Sequence, residues 1–282
     1  MRAMLLALFL AMAGSLPGGF TPEWNRPLQP YRVAGNIYYV GTNYLASFLI
    51  TTPAGLIMIN PDYEESVPLI RASVEKLGYR FSDVKILLIS HAHDDHAAGC
   101  ALVKQQTGAK LMVMDADVAE IQSGGKGDFQ YQQHWTPVKV DRVLHDSDAV
   151  TLGGITLRAH LTPGHTRGCT TWTTEVLELG RTLHVVIVGS ANVNPGYKLV
   201  GNKEYPQIAA DYEKTFRILK NLPCDVFLGA HGEYYNMDEK LKRVQAGEAN
   251  PFVDPQGYRD FVATHEQAFL AEYHAQQRSA GL

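Results

Sequence analysis

The stretch Ser90–Gly99, SHAHDDHAAG, sets three histidines and two aspartates within six consecutive positions, directly after the apolar run Val84–Ile89. A short apolar run closed by a polar cluster reads as a buried strand delivering a loop at its C-terminal end. Side chains two apart at such an end can face the same way. His91 and His93 can therefore grip one cation, and Asp95 and His96, at the entry to the next helix, can reach a second. Imidazole and carboxylate are donors that zinc takes, and three protein ligands leave a position open for water. An isolated His-x-His reads more simply as surface histidines on a polar loop; the complete set is what argues for metal.

Composition narrows the setting. A chain of 282 residues can bury a core without staples and is long enough for one large α/β domain. The net charge of −4 leaves no basic footprint for nucleic acid. Three cysteines, Cys100, Cys169 and Cys224, cannot all pair internally and read as small buried hydrophobes. Arg2, the run Leu5–Ala13 (LLALFLAMA) and Ala11-Met12-Ala13 fit a cleavable export signal, too short to span a bilayer. The expected organisation is a leader over 1–19 and a single domain over 20–282, with the mature protein periplasmic or secreted and without a membrane span.

Strands are expected at Asn36–Val40, Ala46–Thr51, Leu56–Ile59, Val84–Ile89, Lys110–Val113, Arg142–Leu144, Val150–Leu152, Ile155–Leu161, Val185–Val188 and Asp225–Leu228. Helices are expected at Ser66–Leu77, His96–Gln106, around Val118–Ser123, at Ile208–Leu219 and at Tyr258–Gln277. The glycine-rich, aromatic-interleaved stretch Ser123–Trp135 reads as a mobile loop. Interleaving of this kind points to mixed sheets covered by helices.

The set His91-x-His93-x-Asp95-His96 resembles the motif shared across the metallo-β-lactamase superfamily. The resemblance implies an α/β fold, an αββα sandwich of two mixed β-sheets flanked by helices, with metals at one edge. It also implies two further ligands. His165 lies in LTPGHTRGCTTWT (Leu161–Thr173) and His231 in DVFLGAHG (Asp225–Gly232), each at a strand end and in the superfamily's order. Alone, each would read as structural. Two Zn2+ ions per chain are then expected, one on His91, His93 and His165 and one on Asp95, His96 and His231. His160 competes with His165 but lies inside a strand pattern; His134, His145, His184, His265 and His274 read as structural or surface.

The branch is indicated by an absence. Glyoxalase II-like, lactonase-like and phosphodiesterase-like members place a bridging aspartate between the last two ligand histidines, whereas HVVIVGSANVNPGYKL (His184–Leu199) offers Ser190, with neither aspartate nor cysteine. That pattern is similar to the subclass B3 metallo-β-lactamases, as are PGHTRG with TTWT, the run Pro195–Tyr212 and the lead Pro223–Val226. The implied activity is zinc-dependent hydrolysis of the β-lactam amide of penicillins, cephalosporins and carbapenems by zinc-bound hydroxide, without a covalent intermediate. Asp95 would position the nucleophile and Ser190 a water or the substrate carboxylate. Tyr197 would donate to the oxyanion, and Phe129, Tyr131 and Asn192 would touch substrate. A monomer is expected, with a small β-lactam molecule as its partner. The alternatives are hydrolysis of another ester or amide, such as a lactone, and a non-catalytic metal-binding homologue. Three departures stand out: Asn60 where the subclass usually has aspartate, Cys224 without a partner near Gln256, and Asn192 in place of serine or threonine.

Overall fold

The computed structural model describes residues 19–131, 133–178 and 180–281, so the expected leader lies outside the described residues but for its last position. The chain opens as an antiparallel meander of β1 (Tyr31–Ala34), β2 (Ile37–Tyr39), β3 (Phe48–Thr52) and β4 (Gly55–Ile59). Helix α1 (Val67–Lys76) then carries it across to β5 (Val84–Leu88), which pairs parallel to β4. Pro68 near its start suits the first turn, where an N–H has no partner anyway, and Val67, Ile70 and Val74 give it a buried stripe. Gly78 at φ +86° ends it in a conformation that other residues adopt only at a cost.

Helices α2 (Asp94–Ala97) and α3 (Cys100–Thr107) lead to β6 (Lys110–Met114), and α4 (Asp115–Ser123) leads to β7 (Arg142–Leu144). Each strand joins in parallel, completing a seven-stranded sheet in the order β1 to β7. The second sheet has five strands, β8 (Ala149–Leu152), β9 (Ile155–Leu161), β10 (Thr170–Glu178), β11 (Arg181–Val188) and β12 (Val226–Gly229). It is antiparallel except where α5 (Ile208–Leu219) crosses over and brings β12 in parallel to β11. Two further helices follow, α6 (Met237–Gln245) and α7 (Pro255–Ala280).

The fold is α/β, two mixed sheets flanked by helices. Between the sheets lies one continuous core that includes Ile57, Ile59 and Leu88 from the first and Leu157, Trp172 and Ile187 from the second. Trp172 is almost fully buried there, and its indole N–H donates to the Ile89 carbonyl at 3.0 Å, so one side chain bolts β10 to the end of β5. A second core lies under α1 and α3 on the outer face of the first sheet. Helices α5 and α7 cover the outer face of the second sheet, where Phe227 of β12 meets Phe261 at 5.2 Å between ring centroids. The C-terminal ends of β5 and β12 come to the same edge. No helix among the described residues is long and apolar enough to cross a membrane.

Candidate metal centre

Backbone clamps fix the quoted loop before any side chain meets a ligand. The Ser90 N–H donates to Asn60 Oδ1 at 2.7 Å, and the Ser90 carbonyl accepts from the Thr170 N–H at 2.7 Å. Asn60 sits at φ +61°, a left-handed conformation that asparagine tolerates better than most residues, so this departure from the expected aspartate has a backbone role. A carboxyl group is present close by: Asp62 is buried, which pushes its pKa well above the usual carboxylate range, and it accepts from Ser47 Oγ at 2.8 Å.

Asp117, at the start of α4, does the corresponding work between two ligand loops. Its Oδ2 accepts from the Ala92 N–H at 3.0 Å and from Thr166 Oγ1 at 2.8 Å, while Oδ1 accepts from the Gly168 N–H at 2.7 Å. The loop holding His91 and His93 and the loop holding His165 are thus tied through one buried carboxylate. The segment before His231 is held by the sheets themselves, with Ala230 N–H donating to the Val188 carbonyl and the Ala46 N–H to that of Ala230, each at 3.0 Å.

Six side chains converge on this edge. Donor atoms of His91, His93 and His165 all lie within 4.8 Å of one another. Beside them, His96 Nε2 and His231 Nε2 face each other at 3.1 Å, and Asp95 Oδ2 stands 3.3 Å from the first and 3.5 Å from the second. Tetrahedral zinc with bonds of about 2.0–2.2 Å needs donor atoms roughly 3.3–3.5 Å apart, and the sides of this triangle run from 3.1 to 3.5 Å. The donor set therefore fits a divalent ion. His91 and His96 rings are 4.4 Å apart, so the two triads are neighbours.

The electrostatics favour the ligating forms of His91, His165, His231 and Asp95. Burial holds His91 and His165 well below the usual imidazole range, and the surrounding imidazoles push them further, so their rings are neutral at pH 7. His231 is pushed down to about 3 by burial and by His96. Burial opposes ionisation of Asp95, but His96, His231 and His93 outweigh it and hold its carboxyl well below the usual range.

The remaining expected residues fall in less uniform places. Ser190 is buried beside the centre, its Oγ 3.2 Å from the Tyr234 hydroxyl and accepting from the Asn192 N–H at 3.3 Å. Asn192 donates through Nδ2 to the Tyr234 hydroxyl at 3.1 Å. Tyr197 departs from its expected role: its buried hydroxyl donates to the His165 carbonyl at 2.9 Å, so it shapes the ligand loop and has no free donor to aim at an oxyanion. Phe129 is half-buried between Tyr197 and Tyr205 at centroid distances of 5.0 and 5.1 Å, an anchor for the Ser123–Trp135 loop. Tyr131 lies 5.5 Å from the His93 ring. His160 bonds Thr173 Oγ1 at 2.8 Å, while His145, His184 and His265 pair with Asp115, Glu175 and the Phe261 carbonyl.

Sequence reasoning missed Asp117, whose surroundings in the chain carry no ligand pattern. It also missed an aromatic wall: Trp24 stacks on Tyr44 at 4.8 Å, and Tyr44 lies 5.0 Å from the His231 ring. Neither aromatic has a local signal, because each reaches His231 only through the fold.

The sequence profile of the Metallo-beta-lactamase superfamily matches residues 41–231. Among solved structures, the native FEZ-1 metallo-beta-lactamase from Legionella gormanii is 50% identical, with a TM-score of 0.87, over 94% of this chain and 99% of that one. BJP-1, a subclass B3 metallo-beta-lactamase of Bradyrhizobium japonicum, is 35% identical, with a TM-score of 0.85, over 91% of this chain and 98% of that one. A hydroxyacylglutathione hydrolase of Rhodopseudomonas palustris is 29% identical over 119 residues, 42% of this chain. The match spans about two fifths, 39%, of that curated relative's length.

Proposed function

The chain belongs to the metallo-beta-lactamase superfamily, and within it we propose a zinc-dependent β-lactamase of the B3 type, hydrolysing the lactam amide of penicillins, cephalosporins and carbapenems. The observation that carries this reading over the wider family is the side chain presented just beyond β11. Ser190, a hydroxyl held by Tyr234 and Asn192, stands where hydroxyacylglutathione hydrolase-like members are expected to offer a bridging aspartate. Likeness to lactamases over nine tenths of the chain supports the same choice.

His91, His93 and His165 would hold one zinc, and Asp95, His96 and His231 a second. When bound, zinc acts as a Lewis acid that polarises a carbonyl and acidifies a water ligand. Asp95 contributes a carboxylate oxygen and orients the attacking water by accepting its hydrogen bond. The neutral rings of His91, His165 and His231 leave their lone pairs for the metal without first losing a proton. Ser190 and Asn192 offer polar contacts to the substrate carboxylate, and Tyr131 with the Trp24–Tyr44 pair gives aromatic walls for its apolar parts. Water is the nucleophile, so no covalent intermediate forms. Residues 1–19 serve as an export leader, which places the mature single-domain monomer in the periplasm or outside the cell.

The test is hydrolysis of a carbapenem followed by loss of its ultraviolet absorbance, using the protein loaded with zinc and a chelator-treated sample. A lactone and a hydroxyacylglutathione thioester run in parallel. Carbapenem turnover that disappears with chelator and returns with zinc is expected. Turnover of the thioester or lactone alone would overturn the β-lactamase reading.

A further inference from the structure

The glycine-rich loop is attached to the first histidine triad by a group with no part in the ligand set. Asp128, although carried on an irregular loop, has a side chain only 3% exposed. Its Oδ1 accepts from the Gln130 N–H at 2.8 Å and from the Tyr131 N–H at 2.5 Å, which fixes the carboxylate plane. That leaves Oδ2 pointing at His93, 3.5 Å from Nε2. This is slightly longer than an N–H···O bond, and a small turn of the carboxylate closes it. His93 Nε2 is buried and has no other partner among the described residues, a condition that buried ring nitrogens rarely keep.

The companion histidines show which nitrogen each presents. His165 Nδ1 donates to the Asn192 carbonyl at 2.9 Å, so its Nε2 carries the lone pair. His91 Nδ1 lies 3.0 Å from Ser90 Oγ, which leaves Nε2 in the same way. His93 is the reverse case. With Nε2 sealed against Asp128, only Nδ1 remains to face a metal shared with the other two. Ligating histidines ordinarily give their second ring N–H to such an outer acceptor, which fixes tautomer and ring orientation.

We propose that Asp128 is a positioning residue for the first metal, accepting the His93 Nε2–H and so coupling the state of the Ser123–Trp135 loop to metal binding. The loop has a second tie to the same motif, since Gln133 Oε1 accepts from the Asp94 N–H at 2.6 Å. Phe129 gives it a further anchor, against Tyr197 and Tyr205. Any motion that lifts the loop must pull on the ring of His93, and any metal held by His93 must hold the loop down. The inference rests on His91, His93 and His165 forming a metal site.

The experiment titrates zinc against a chromophoric chelator in the parent, Asp128→Ala, Asp128→Asn and Phe129→Ala proteins, with limited proteolysis of the loop at each zinc level. The parent should take up two ions, and zinc should protect its loop. Asp128→Ala should weaken one of the two ions by about 10–100-fold and abolish that protection. Asp128→Asn, which keeps an acceptor without the charge, should fall between them. Phe129→Ala, which keeps the Asp128 carboxylate, should loosen the loop and weaken the same ion by clearly less than Asp128→Ala does. Unchanged affinities in Asp128→Ala, or an equal loss in Phe129→Ala, would overturn the assignment. A parent that binds no zinc would overturn the metal-site reading beneath it.

Discussion

Replacing Asp117 with alanine should both destabilise the fold and loosen the centre, because one carboxylate serves two ligand loops. The substitution strands three buried donors: the N–H groups of Ala92 and Gly168 and the hydroxyl of Thr166. Each buried donor left without an acceptor costs about 1–3 kcal/mol, so the sum runs to roughly 3–9 kcal/mol. Against this, the wild-type protein bears the cost of burying the carboxylate, which raises its pKa despite the three donors. Relief of that cost brings the expected loss to about 3–5 kcal/mol. Asp117→Asn keeps one acceptor oxygen but turns an amide N–H toward a donor, so about 2–3 kcal/mol is expected. Urea unfolding of chelator-treated proteins measures the stability term free of metal, and chelator competition measures zinc affinity separately. Both variants should unfold at lower urea, alanine before asparagine, and both should bind zinc more weakly. Should both variants unfold within about 0.5 kcal/mol of the parent and bind zinc as tightly, the view of Asp117 as a tie between loops is wrong.

Four further outcomes are expected. Gly168→Ala would set a Cβ 2.6 Å from the Asp117 backbone nitrogen and side-chain Cγ, so thermal denaturation should show a loss of about 1–3 kcal/mol or more. His231→Ala should reduce zinc content from two ions per chain to one, read by elemental analysis after dialysis, with lactam turnover falling in step. Removing zinc from the parent should lower its melting temperature by on the order of ten degrees, since an ion present at a thousand times its Kd stabilises by about 4 kcal/mol. Glu178 is held below its ordinary 4.5 by Arg32, whose guanidinium lies 2.7 Å away. A carboxyl depressed in the fold stabilises above its unfolded pKa and loses that contribution as pH falls through the folded value. The melting temperature of Glu178→Gln should therefore decline less steeply than the parent's between about pH 5 and pH 3.

The metal motif and most of the strands around it were legible without coordinates because their information is local. An apolar run ending in histidines marks β5 and its loop, and periodic apolar positions mark α1 and α5, whose Ile208–Leu219 bounds match the expectation. Strand β10 was not legible: Thr170–Glu178 is a run of threonines and charges broken by Trp172, and it becomes a strand by pairing with β9 and β11. Helix α6 escaped because MDEKLKRVQ is largely polar, with only Met237 and Lys240 buried. The expected single helix His96–Gln106 is two helices, α2 and α3, with Gly99 donating to the Asp62 carbonyl at 2.8 Å between them.

By itself, the sequence determined which residues offer metal donors at a strand end and where most of the apolar runs lie, since donor type and hydrophobic period are properties of a short window. Only the tertiary structure decided that Asp95, His96 and His231 close to within 3.5 Å, that Tyr197 uses its hydroxyl on a carbonyl, and that Asp117 and Asp128 brace ligand loops far from them in sequence. Those contacts join segments tens of residues apart. Their geometry comes from how two sheets pack against each other, which no short window contains.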